Sequence, residues 1–241
     1  MARWLAWHGQ PFAIEELLSR VGRPEEWAVG WYGQDTHPTL GQAAGAESKL
    51  FLAQAGSTPL RHGRWLFAGD VAITRFDEFE HELIAAVDPG LIAAFGGATA
   101  AEALFCLALT FGLTEDPAAS LERAIGFAGR VATRHGAEIR ASIGLTDGEA
   151  LWALRYASRP PAPPLFATAD VHAARMLYPN RPLIQQLTDD DHIVVSERLV
   201  ELQGAWDEVS ESTLLAIRGG RSEGQLFRPE HSWEPGAPVG H

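Results

Sequence analysis

Met1-Ala2-Arg3-Trp4-Leu5-Ala6-Trp7-His8-Gly9, residues 1–9, is the stretch on which the reading of this chain turns. Residues 3–7 make a short first strand. Pro11 is placed to open a helix, with Ile14, Leu17, Leu18 and Val21 on one face and Gly22 to end it. Position 2 carries alanine, a side chain with neither sulfur nor hydroxyl, and that identity bears on function.

Working outward, Trp27-Ala28-Val29-Gly30-Trp31-Tyr32 reads as a strand, followed by a turn-rich stretch from Gly33 to Ser48. Leu50-Phe51-Leu52-Ala53 and Arg64-Trp65-Leu66-Phe67-Ala68 are the next two strands. Helices follow. Phe76, Phe79, Leu83, Ile84 and Val87 share one helical face. Thr99 and Glu102 form a capping box ahead of Leu104, Phe105, Leu107, Ala108 and Phe111. Asp116-Pro117 starts another helix, with Leu121, Ile125, Ala128 and Val131 inward and Gly136 past its end.

The remainder is mostly strand. Ile139, Ala141, Ile143 and Leu145 alternate, Thr146-Asp147-Gly148 turns the chain, and Trp152, Leu154 and Tyr156 return as the second arm of a hairpin. Pro160 to Pro164 is a rigid connector. Leu165-Phe166-Ala167-Thr168, Ile193-Val194-Val195-Ser196 and Leu214-Leu215-Ala216-Ile217 are later strands. Strands, then two long helices, then strands again predict two sheets sandwiched between helical layers.

The 241 residues are 46% hydrophobic, enough for one sizeable core. A single domain over residues 1–228 is expected, with a Pro- and Gly-rich flexible tail at 229–241. Lys and Arg total 19 against 31 Asp and Glu, and the net charge of −12 argues against a nucleic-acid or membrane partner. The single cysteine, Cys106, lies in an apolar run from Ala103 to Leu109 and reads as a buried, inert thiol. One cysteine fits a reducing compartment, and no apolar run reaches membrane-spanning length, so a cytoplasmic location is expected.

Several ordered motifs span nearly the whole chain: Arg3-Trp4-Leu5-Ala6, Val29-Gly30-Trp31-Tyr32, Arg61-His62-Gly63-Arg64-Trp65-Leu66-Phe67, Ala108-Leu109-Thr110-Phe111-Gly112-Leu113 and Gly144-Leu145-Thr146-Asp147-Gly148. Val194-Val195-Ser196-Glu197, Gly204-Ala205-Trp206 and Val209-Ser210-Glu211-Ser212 complete the series. With them the chain resembles the single-domain, bacterial-type class II glutamine amidotransferase-like proteins of the N-terminal-nucleophile hydrolase superfamily. The resemblance implies an α+β fold, an αββα four-layer sandwich of two mainly antiparallel sheets between helical layers, and no cofactor.

In that family a cysteine follows Met1, and its own α-amine, with a pKa of roughly 8, takes the thiol proton. Here the position is Ala2. The family's His-Asn-Gly loop, whose asparagine and glycine form an oxyanion hole, is matched by Gly69-Asp70-Val71. A carboxylate at Asp70 repels an oxyanion, and Val71 removes the unhindered glycine backbone. The family's Ser-Thr-Asp-Ser-Glu is matched by Ala98-Thr99-Ala100-Ala101-Glu102, so the aspartate that holds the glutamine α-amine becomes Ala100. The family's His-Val-Arg and long loop after the Leu50–Ala53 strand are matched by Gln54-Ala55-Gly56-Ser57-Thr58, without the carboxylate-gripping arginine. Arg23-Pro24-Glu25-Glu26 stands where the family has Asn-Ala-Asp-Gly.

Three explanations of Ala2 compete. An engineered trap predicts an intact oxyanion hole and substrate clamp, and the sequence has neither. A pseudoenzyme lacking glutaminase activity, acting as a binding, regulatory or assembly subunit, explains losses confined to one pocket on an intact scaffold. Its partner would be an active paralogue or another protein, or a small-molecule ligand. The alternative is an enzyme with repurposed, non-glutaminase chemistry in the same pocket, for example in a biosynthetic pathway. There a free Ala2 α-amine is the candidate base, with Asp70, Glu25 and Glu26 as nearby carboxylates. The plainer reading of Glu25 and Glu26 is a solvated turn.

Other residues carry less. The nine histidines show no metal-ligand spacing, and Asp189-Asp190-Asp191-His192 reads as a solvated turn, so no metal is expected. Ser142 and Ser196 sit in strand patterns without a nucleophile turn. Trp4, Trp7, Trp27 and Trp31 lie on strands expected to converge near the pocket, where Trp31 is a candidate lining residue; core packing is their default role.

Overall fold

A computed structural model describes residues 3–95, 99–169, 171–197 and 204–229. In chain order the first elements are β1 (Trp4–Ala13), α1 (Ile14–Val21), β2 (Trp27–Trp31), β3 (Thr39–Gly41), β4 (Glu47–Ala55), β5 (Leu60–His62) and β6 (Trp65–Ile73). The helical block is α2 (Glu80–Ile84), α3 (Pro89–Phe95), α4 (Ala100–Thr110) and α5 (Pro117–Arg134). After it come β7 (Ile139–Thr146), β8 (Ala150–Ala157), β9 (Phe166–Thr168), α6 (Val171–Leu177), α7 (Pro182–Gln186) and β10 (His192–Val195). β11 (Trp206–Glu208), β12 (Thr213–Arg218) and β13 (Arg221–Leu226) follow.

The strands form two antiparallel sheets, ordered β11-β9-β10-β1-β4-β2-β3 and β13-β12-β8-β7-β6-β5. Three apolar clusters separate four layers. Phe67, Ile143 and Leu154 of the six-stranded sheet meet Phe105, Leu121 and Ile125 of α4 and α5. Leu5, Trp7 and Phe51 of the seven-stranded sheet meet Leu17 and Leu18 of α1 and Ala174 of α6. Trp4, Ala6, Leu52, Leu66, Ala68 and Ala153 fill the space between the sheets. The fold is therefore the αββα sandwich that the resemblance implies.

Because the central strands are covered on both faces, they read as continuous apolar runs rather than as clean alternation. The alternation survives in placement. On β1, Trp4 and Ala6 enter the layer between sheets, whereas Leu5 and Trp7 enter the layer under α1.

Local signals fare well where they are self-contained. Thr99 and Glu102 make a reciprocal capping box on α4, and the Asp116 carboxylate accepts from Ala119 N–H at the start of α5. The β7–β8 hairpin turns through Asp147, whose Oδ1 accepts from both Glu149 and Ala150 N–H.

Elsewhere the structure differs. Pro11 lies within β1, and the helix starts three residues later, at Ile14. The pairing of β1 with β4 is interrupted between His8 and Phe12, so proline's missing N–H is tolerated there. Gly22 ends α1 as expected, its N–H donating to Leu18 O. Residues 76–87 form a 3-10 turn (Phe76–Glu78) and the short α2 instead of one helix, although Phe76, Phe79, Leu83 and Val87 are all buried. The turn-rich stretch from Gly33 to Ser48 includes β3 and the start of β4.

Candidate functional site

β1 begins at Trp4, which is tied into both sheets. Its backbone N–H donates to Ser196 Oγ at 2.9 Å, and its carbonyl accepts from Ser196 N–H at 3.1 Å. Its indole Nε1–H crosses between the sheets to Ser142 Oγ at 3.1 Å, and Ser142 is completely buried. The ring packs against Gly144, where a Cβ would come within 2.6 Å of indole Cζ3. Only glycine admits the indole at this point.

Register extends the site sideways. Asp70 of β6 pairs with Ser142 of β7, Ser142 with Arg155 of β8, and Arg155 with Thr213 of β12. Directly opposed residues in antiparallel strands project from the same face. Ser142 meets an indole of the other sheet, so this polar row lines the inter-sheet space around Trp4. Beyond it, Leu66, Ala68, Leu151, Ala153 and Ile217 add apolar side chains to the space.

The row is closed by contacts across the sheets. Arg155 is buried, and its Nη1 donates to Glu208 Oε1 (2.8 Å) and Val209 O (2.6 Å) from the edge of the seven-stranded sheet. Its Nε is buried without an acceptor among the described residues. Gln54, the residue that follows Ala53 on β4, accepts from Gly69 N–H and donates to Gly69 O, each at 3.2 Å. Gln54, Ser142 and Arg155 thus stitch the two sheets together beside Asp70, while Ser196 holds Trp4 within its own sheet.

The predicted positions are distributed as follows. Ala2 and Ala98 lie outside the described residues. Asp70 and Val71 belong to the continuous strand β6 rather than to a loop, because the ladder with β7 runs on to Ile73. Asp70 is half-buried on the inter-sheet face, and Val71 turns toward the helical layer, where it packs on that core. Ala100 is the first residue of α4, in that same helical layer. Glu25 and Glu26 are exposed in a 3-10 turn (Pro24–Glu26). Glu26 pairs with Arg3 at 3.3 Å, and the Arg3 guanidinium lies over the Trp27 ring.

The tryptophans do not converge as expected. Trp4 faces between the sheets, whereas Trp7, Trp27 and Trp31 join the cluster under α1, because strand alternation sends Trp4 and Trp7 to opposite faces. The acidic turn also needs revision. Asp189 and Asp190 are exposed, but Asp191 is buried, taking Gln10 N–H on Oδ1 and Thr188 N–H and Oγ1 on Oδ2. Three donors explain why that carboxylate can be buried. Cys106 is buried, and burial pushes its thiol up to about 11, so it stays protonated and unreactive.

Among the described residues, no group of three or more His, Cys, Asp or Glu could hold a metal ion. None of the helices there is long and apolar enough to cross a membrane. An open groove of about 540 Å³ runs along Asp35–Leu40 and Arg61; no predicted position lines it, although Trp31 pairs with its Thr39.

The arrangement matches solved structures. A glutamine aminotransferase class-II domain protein from Silicibacter pomeroyi superposes with a TM-score of 0.77 at 26% identity, over 95% of this chain and 99% of that one. Glutamine phosphoribosylpyrophosphate amidotransferase from B. subtilis, complexed with ADP and GMP, gives 0.62 at 11% identity, over 95% of this chain and 50% of that one. The latter likeness shows fold alone. No family model matches the sequence, and neither does any curated protein. The chain is thus similar over 95% of its length to a glutamine aminotransferase class-II domain protein, and it shares its sandwich fold with the phosphoribosylpyrophosphate amidotransferase.

Proposed function

We propose that this protein does not hydrolyse glutamine and acts as a binding, regulatory or assembly subunit built on the amidotransferase fold. The observation that carries this reading is Asp70, a carboxylate on the inter-sheet face of β6 beside Ser142. By the resemblance, that is where an amide donor should stabilise the developing oxyanion, and a carboxylate there raises the barrier instead. Ala2 supplies no nucleophile. Gln54, in place of the family's histidine, is engaged with Gly69. With both the nucleophile and the oxyanion hole missing, nothing is left for a single substitution to rescue.

Ammonia release from glutamine, measured on the purified full chain, tests the reading. The expected rate equals that of the protein-free control, and Ala2→Cys, with Met1 removal checked by mass spectrometry, stays equally silent. Glutaminase activity restored by Ala2→Cys alone would overturn the proposal. Affinity capture from the native lysate that returns neither a protein nor a small molecule would remove its subunit part.

A further inference from the structure

β1 and β10 place His8 and His192 directly opposite each other. Both lie in phase with inter-sheet residues of their own strands, Trp4 and Ala6 on β1 and Val194 on β10. They stand at the end of the inter-sheet space remote from Ser142. There each ring reaches a different hairpin turn of the six-stranded sheet. His8 Nε2 lies 3.2 Å from Glu149 O in the β7–β8 turn, and His192 Nε2 lies 3.1 Å from Gly220 O in the β12–β13 turn.

A carbonyl oxygen only accepts, so both Nε2 atoms carry hydrogen and donate. In the neutral imidazole, Nδ1 is then the bare nitrogen. His8 Nδ1 is buried without a hydrogen-bond partner among the described residues. A proton added there becomes a buried N–H of a charged ring, eased by no side chain but only by the backbone of His8 itself and opposed by the second imidazole across the register.

Among the charged groups around the pair, Asp191 favours the charged ring, but its influence on His8 is the smallest. Asp191, just before β10, has both carboxylate oxygens engaged by Gln10 and Thr188. Glu149 turns its carboxylate to Arg64 at 2.9 Å, and Asp147 accepts from the backbone of its own turn. Asp190 packs against Gly220, while Arg218 and Arg221 flank that turn. On β4 the residue opposite His8 is the apolar Leu50. Burial is the largest influence on His8 and holds its pKa below the usual 6.5; the bond to Glu149 O opposes it, and His192 reinforces it.

We propose that the His8–His192 pair is a pH-sensitive latch that clamps the two hairpin turns to the opposite sheet while His8 is neutral and releases them when His8 is protonated. The linkage sign follows from the folded state binding its proton less readily than the unfolded one. Clamping is complete above the unfolded value of 6.5 and is lost as pH falls below it.

The test is hydrogen exchange of residues 147–150 and 218–221 at pH 7.5 and 5.5, corrected for intrinsic rates, with histidine ring titration by NMR. His8→Gln keeps an N–H donor but cannot titrate. Protection of both turns is expected to fall several-fold on acidification in the wild type and to stay constant in His8→Gln. The wild-type His8 ring should titrate below 6.5. A ring titrating at or above that value, or equal loss of protection in both proteins, overturns the latch. If His8→Gln does not fold, the wild-type titration decides alone.

Discussion

Gln54→Leu is the most informative perturbation of the inter-sheet seam. β5 pairs with β6 only as far as Phe67, so beyond that point one edge of β6 has no strand beside it. Gln54 fills that place, its amide accepting from Gly69 N–H and donating to Gly69 O as a neighbouring strand would. Leucine keeps the volume and removes both partners. A buried polar group left unsatisfied costs about 1–3 kcal/mol, and two are exposed to that penalty here. Both contacts measure 3.2 Å, at the long end of normal geometry, which favours the lower half of the range. The expected loss is about 2–4 kcal/mol in urea unfolding followed by tryptophan fluorescence. Gln54→Glu preserves shape but replaces the donor by a carboxylate facing Gly69 O. Its deficit should narrow as pH falls, because only the protonated acid donates. A Gln54→Leu protein within about 0.5 kcal/mol of wild type, or a Gln54→Glu deficit insensitive to pH, would refute the seam argument.

Two further substitutions probe neighbouring features. Gly144→Ala drives a Cβ into the Trp4 ring, which is 1% exposed and has nowhere to move, so a loss of about 1–3 kcal/mol and an altered near-UV tryptophan signal are expected. An unchanged spectrum would show that the ring is not held against Gly144. Thr99→Ala removes the capping box of α4 and should lower stability by about 1 kcal/mol, read as a shift in urea midpoint without a change in slope.

Legibility in the sequence followed the range of the interaction. The box at Thr99, the cap at Asp116 and the hairpin at Asp147 involve partners two or three residues apart, and all three are present as read. The Gly33–Ser48 stretch was harder, because β3 is a three-residue edge strand with no apolar pattern of its own. Residues 76–87 mislead because four buried apolar side chains at helical spacing also fit a 3-10 turn followed by a short helix. Asp191 looks like any acid in a polar turn until Gln10, far away in sequence, is brought to its carboxylate.

By itself, the sequence determined the strand–helix–strand order and which reacting groups are chemically possible. A methyl group at position 2 and a carboxylate at position 70 do not depend on packing. Only the tertiary structure decided which face each residue occupies and which distant partners it meets. Trp4 reaches Ser142 across 138 positions and Ser196 across 192, and Gln54 finds the free edge at Gly69. Strand register makes those choices. A one-residue shift would move Asp70, Ser142 and Arg155 from the space between the sheets into the helical layer, so the seam exists only once both sheets are paired.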